Sequence, residues 1–177
     1  FPHGVAIAPD GKRVYVANME SNDISAIDPA THQVVAPIPT AAGPHRLTPS
    51  PDGKFLYVVN TDADQLTIID TAQARQVRSV GVGRAPYDVV VAPGGAVVWV
   101  ANAEAQHLQA IDSQSGKILA TVPVTGSPHG LALTPDGKEL WVANFNTDSV
   151  SIVDVVERKV VGTVPAGNGP HLILIRR

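Results

Sequence analysis

Four copies of a 42-residue unit fill residues 2–169 of this 177-residue chain. They begin at Pro2, Pro44, Pro86 and Pro128, with no insertion, and a fifth start stands at Pro170. A period between about 20 and 50 residues marks solenoids, propellers or arrays, in which one unit cannot bury its apolar surface without its neighbours. Composition narrows the choice. Gly and Pro number 15 each, and no segment shows sustained helical periodicity, so helical repeats are excluded. There is no Cys, which rules out disulfide frameworks, thiolate zinc sites and cysteine nucleophiles.

Each unit carries the same markers. Pro-Asp-Gly stands at 9–11, 51–53 and 135–137, and Pro-Gly-Gly at 93–95. An aromatic follows at Tyr15, Tyr57, Trp99 and Trp141, then an amide at Asn18, Asn60, Asn102 and Asn144, then an acid at Asp28, Asp70, Asp112 and Asp154. The segments between markers are short and rich in Val, Ile and Ala, and they read as strands. In the first unit these are Val5–Ala8, Arg13–Ala17, Ile24–Asp28 and Gln33–Pro39; Phe55–Val59, Val97–Ala101 and Glu139–Ala143 repeat the second strand. Pro-Asp-Gly supplies the turn: Pro presets φ, Asp bonds the backbone and Gly accepts positive φ. The later Asp is suited to bonding backbone N–H groups where the chain turns.

Four short antiparallel strands per unit of about 40 residues describe a propeller blade. The expected fold is an all-β propeller with blades at 2–43, 44–85, 86–127 and 128–169, and an extra innermost strand at 170–177. Blades packed on both faces account for a charged fraction of only 16%, against about 25% in ordinary domains. The mid-strand aromatics Tyr15, Tyr57, Trp99 and Trp141 read as packing between blades. Pro49 falls inside an innermost strand, which requires its missing N–H to face the channel.

The runs Tyr15-Val16-Ala17-Asn18, Tyr57-Val58-Val59-Asn60, Trp99-Val100-Ala101-Asn102 and Trp141-Val142-Ala143-Asn144 resemble the Tyr-Val-Thr-Asn (YVTN) β-propeller repeat family. The Pro-Asp-Gly and Ile-Asp elements match as well. The resemblance covers nearly the whole chain. It implies a propeller of about seven blades, usually outside the cytoplasm, in a family that includes surface-layer and periplasmic binding proteins. The first residue is Phe rather than Met, which suits a leader removed upstream, although no signal peptide is visible. The expected arrangement is an arc of a larger ring whose open blade faces invite self-association. The rival arrangement is a ring closed by a second copy.

Strand order sorts the loops onto two faces. The top face carries Glu20, Asp23, Asp62, Asp64, Asp88, Glu104 and Asp148 against Arg46 and Arg84, while acids and bases balance at the bottom. Arg176 and Arg177 complete the net charge of -3. Cationic partners, protein or small ligand, are therefore favoured at the top. Nucleic acid is not, since the chain lacks a basic stripe to neutralise phosphates. No apolar run reaches the ~18 residues of a membrane span.

The second position of the units reads His3, His45, Tyr87, His129 and His171. These residues, with Arg46 and Asp88, are the candidate ligand site at the channel mouth. Imidazole is the commonest metal ligand, so His3, His45, His129 and His171 are candidate ligands for a metal ion or haem iron. The alternative is that each His packs on its loop and bonds a backbone carbonyl. Asn60, Asp62 and Asp64, like Asn144, Asn146 and Asp148, alternate oxygen donors as calcium loops do, but lack the Gly and Glu of an EF-hand. Tight hairpins explain them better. Gly81-Val82-Gly83 is followed by no helix and reads as a turn between blades. No nucleophile elbow, P-loop or zinc-protease motif occurs. The favoured function is a non-catalytic, extracytoplasmic binding or scaffold propeller. The alternatives are a haem- or metal-dependent carrier and, more weakly, a propeller lactonase.

Overall fold

A computed structural model describes residues 1–175, apart from the side chain of Ala36; Arg176 and Arg177, counted above in the charge and the final strand, lie outside the described residues. Sixteen strands form four antiparallel sheets, each with its strands in sequence order. The first blade comprises β1 (Pro2–Ile7), β2 (Val14–Asn18), β3 (Asp23–Asp28) and β4 (Gln33–Pro39). The second comprises β5 (Pro44–Pro49), β6 (Phe55–Asn60), β7 (Gln65–Asp70) and β8 (Arg75–Gly81). The third holds β9 (Pro86–Val91), β10 (Val97–Asn102), β11 (His107–Asp112) and β12 (Ile118–Pro123). The fourth holds β13 (Pro128–Leu133), β14 (Glu139–Asn144), β15 (Ser149–Asp154) and β16 (Lys159–Pro165). One 3₁₀ turn, Phe145–Thr147, interrupts the pattern.

Alternation along each strand sends side chains to the two neighbouring blades. Three cores result, one per blade interface. Tyr15, Ala17, Ile24 and Ile38 of the first blade meet Leu47, Leu56, Val58 and Ile69 of the second. Tyr57, Val59, Leu66 and Ile68 meet Val89, Val98, Val100 and Ile111. Trp99, Leu108 and Val122 meet Leu131, Leu140, Val142 and Val153. Tyr15, Tyr57 and Trp99 therefore pack between blades, as their positions suggested, while Trp141 has no blade beyond it among the described residues. Trp99 is fully buried, whereas Trp141, at the same place in the last blade, is half-buried.

The blades form an open arc, and one face at each end is uncovered. Val5 and Ile7 of the first blade are 64% and 63% exposed, whereas Leu47, the equivalent of Val5, is buried against the first blade. Coverage of both sheet faces therefore holds for the inner blades alone.

Turn chemistry works as the markers predict. Asp10, Asp52 and Asp136 accept the N–H two residues on, at 2.9–3.1 Å. Asp28, Asp70, Asp112 and Asp154 each accept backbone N–H groups of the following turn. The Asn that ends each second strand is a bracket across to the third strand. Asn18 donates to Ser25 Oγ at 2.8 Å, and Asn60 to Thr67 Oγ1 at 2.8 Å. Asn102 donates to Gln109 Oε1 at 3.2 Å, and the Asn144 amide meets Ser151 Oγ at 2.8 Å. In the later three blades this Asn is fully buried, so the second strands run one residue further than their apolar pattern indicates.

Two expectations need correction. The first strand starts at Pro2 rather than at Val5, so it takes in the Pro-His pair, where the register shifts. The segment 170–175 follows the path of an innermost strand but forms none, because no second strand lies beside it to complete a ladder. It packs against the fourth blade instead: a Cβ on Gly130 would lie 2.8 Å from His171 O. Leu174 is left 92% exposed.

Candidate functional site

The geometry of the site begins with a bulge. Pro44 pairs with Asn60 and Arg46 with Val59, which leaves His45 without a partner. His129 is skipped in the same way, and Tyr87 falls between Asp88 and Pro86. A bulge bends the strand and re-aims the extra side chain. Here it turns each ring toward the ring of the adjacent blade.

The rings touch in a continuous ladder, tilted by 32° and 54° at its first two steps and stacked beyond Tyr87. His3 and His45 have centroids 3.7 Å apart, and His45 and Tyr87 4.1 Å. Tyr87 and His129 are nearly parallel at 4.0 Å. Phe145 extends the ladder beyond His129 at 4.5 Å, and His171 meets Tyr87 and His129 edge-on at 5.3 and 5.1 Å. His45 Nδ1–H donates to Tyr87 O at 2.9 Å. The Tyr87 hydroxyl and His171 Nε2 are hydrogen-bonded at 2.7 Å. All five second-position residues thus come together. Phe145 joins them unheralded; its one signal is an aromatic directly after Asn144, where the other units carry Met19, Thr61 and Ala103.

Burial decides the charge of the ladder. It pushes His45 down to about 4, outweighing the bond to Tyr87 O, with His3, Arg46 and His171 adding to the fall. His129 is also lowered to about 4, by burial and then by His171. His3 is lowered too, by burial first and Arg46 second. The ladder at His45 and His129 is neutral near pH 7. Among the described residues, no three His, Asp or Glu side chains converge as a metal-holding group.

Arg46 and Asp88 occupy the third position of their units. In the first and fourth units this position is Gly4 and Gly130, where a Cβ would lie 2.5 Å from His45 O and 2.8 Å from His171 O. Asp88 is 7% exposed, so it does not belong to the acidic rim. Its Oδ2 accepts Leu131 N–H of the next blade at 2.9 Å, and its Oδ1 accepts Val89 N–H at 2.9 Å. Burial raises its pKa from 3.8 to about 6, against the two backbone bonds and Arg46. Arg46 forms none of the described ion pairs. Its Nε is buried without a partner.

The hairpin acids also divide. Asp64 accepts Ala85 N–H and Asp148 accepts Gly169 N–H, both at 2.8 Å. The same bond runs from Gly43 N–H to Asn22 Oδ1 at 2.9 Å. These side chains tie the interblade strap to the hairpin, the job expected of tight turns. Glu20, Asp62 and Glu104 are exposed on this face, as is Asp148 despite its bond.

Four-stranded antiparallel blades with their first strands along a shared channel define a β-propeller, built here as an open arc of four blades. The family model for the YNCE-like beta-propeller matches residues 2–96, more than half of the chain, and the chain belongs to that family. No curated protein matches it. Solved structures do. Hydrazine synthase from Kuenenia stuttgartiensis is 23% identical with a TM-score of 0.87, over 92% of this chain and 48% of that one. A candidate 6-phosphogluconolactonase from Bacteroides uniformis is 20% identical with a TM-score of 0.80, over 96% and 56%. The beta-propeller domain of Cps50 (Swd1) from Myceliophteria thermophila is 14% identical with a TM-score of 0.83, again over 96% and 56%. The likeness is one of fold, and the chain spans about half the length of each. Among the described residues, no helix is long and apolar enough to cross a membrane.

Proposed function

We propose that the chain is a non-catalytic binding propeller of the Tyr-Val-Thr-Asn repeat type, working outside the cytoplasm and presenting its channel-mouth face to a ligand. The observation that carries this is the ring ladder. It gathers His3, Tyr87, His129 and Phe145 around the buried His45 at the channel mouth, beside the exposed acids Glu20, Asp62 and Glu104. Rings give contact area at low entropic cost, and the acids favour a basic partner. Fluorescence anisotropy with labelled oligolysine and oligoglutamate tests the reading. Oligolysine should bind, weaken with salt and lose affinity when Glu20, Asp62 and Glu104 are changed to Gln or Asn. Equal binding of both peptides, or of neither, overturns it.

A metal- or haem-carrying role is the second reading. It draws on the buried Nδ1 of His129, which has no partner among the described residues. Titration with copper(II) and with haem, comparing the wild type with a His45→Ala, His129→Ala double variant, decides it. Stoichiometric binding lost in the double variant supports a carrier, and equal weak binding ends the idea.

A further inference from the structure

We propose that Arg46 is the seat of an organic carboxylate at the channel mouth. This rests on the reading of that face as a binding surface, and adds an anion subsite within it. Three observations carry it.

The first is position. The third place of the unit is glycine in the first and fourth units because the next innermost strand leaves a Cβ no room. A long cationic side chain at that place is a departure from what packing dictates. The second is the lack of a partner. The buried Nε of Arg46 donates to nothing among the described residues, and Arg46 forms none of the described ion pairs. The acid whose charge it feels is Asp88, but both carboxylate oxygens of Asp88 are already held by Leu131 and Val89 N–H groups. A partly buried guanidinium whose Nε–H lacks an acceptor is costly, and a bound carboxylate supplies that acceptor. The third is shape. Guanidinium is a planar fork that matches a carboxylate in bidentate fashion. Neutral His45 does not compete for the anion.

Benzoate is the probe, and uncharged benzamide its isosteric control. Backbone amide shifts of Arg46, Tyr87 and Asp88 are followed by NMR during titration of the 177-residue chain. Benzoate should bind saturably, and benzamide about tenfold more weakly or not at all, as expected for loss of a charge-assisted pair. Arg46→Gln should weaken benzoate about tenfold, while Arg46→Lys, which keeps charge but loses the fork, should fall between. Asp88→Asn should tighten benzoate several-fold by removing a neighbouring negative charge. Benzoate that fails to saturate, benzamide binding equally well, or an unchanged affinity in Arg46→Gln overturns the proposal. The probe comparison uses the wild type, so it stands even if a variant fails to fold. The oligolysine experiment reads the exposed acids rather than Arg46, so either reading can fail without the other.

Discussion

Asp88 should make the stability of this chain depend on pH in an unusual direction. The carboxyl is buried in the channel wall between the third and fourth blades, and burial raises its pKa from 3.8 to about 6. That is about two pK units, each worth about 1.4 kcal/mol, so roughly 3 kcal/mol is at stake. The native state binds the proton more tightly than the unfolded chain does. Stability from this group is therefore fully present below the unfolded pKa of 3.8, falls as pH rises, and is lost above about 6. Asp88→Asn cannot ionise. The difference in unfolding free energy between the variant and the wild type should shift by about 3 kcal/mol in favour of the variant between about pH 4 and about pH 7.5. The amide can accept only one of the two N–H groups now held, at Leu131 and Val89. That adds an offset independent of pH, which cancels in the comparison. His45 and His129 also titrate low, but they are common to both proteins. Urea unfolding at matched pH values, read by fluorescence of the buried Trp99, measures the shift. A difference that stays within about 0.5 kcal/mol across the range, or moves the other way, would refute the assignment of Asp88 as a buried, raised carboxyl.

Other positions make equally direct tests. Trp99→Ala should cost about 3–5 kcal/mol in denaturant unfolding, while Trp141→Ala, half-buried on the uncovered blade face, should cost far less; equal losses would contradict the open arc. Gly4→Ala drives a Cβ to 2.5 Å from His45 O, whereas Gly94→Ala meets nothing within 4 Å, so thermal melting should drop sharply for the first and little for the second. Asn60→Ala breaks the bracket to Thr67 and the bond from Thr40, leaving the buried Thr67 hydroxyl without this partner at a cost of about 1–3 kcal/mol, measured by the same unfolding curves.

The blade was readable before any coordinates. The apolar run Leu56-Tyr57-Val58-Val59, turn chemistry in Pro-Asp-Gly and the recurring Asn and Asp are local signals, and each acts within one unit or on the next. Local physics therefore sets the strand count, the strand order and the buried aromatics. The alignment of the units also brought His3, His45, Tyr87, His129 and His171 to one end of the channel.

What that alignment could not supply is how the residues meet. The ring ladder depends on a bulge at each second position and on the angle between successive sheets, and that angle belongs to the stack rather than to any unit. Asp88 counts as a surface acid in the sequence, and only the approach of Leu131 from the next blade makes it a buried one. The segment 170–175 carries a strand-like pattern, yet a strand needs a hydrogen-bonded neighbour, and the tertiary structure offers it only the flank of the fourth blade. A 42-residue period encodes what a blade is; the packing of one blade on the next decides which side chains lose water, and with it their charge.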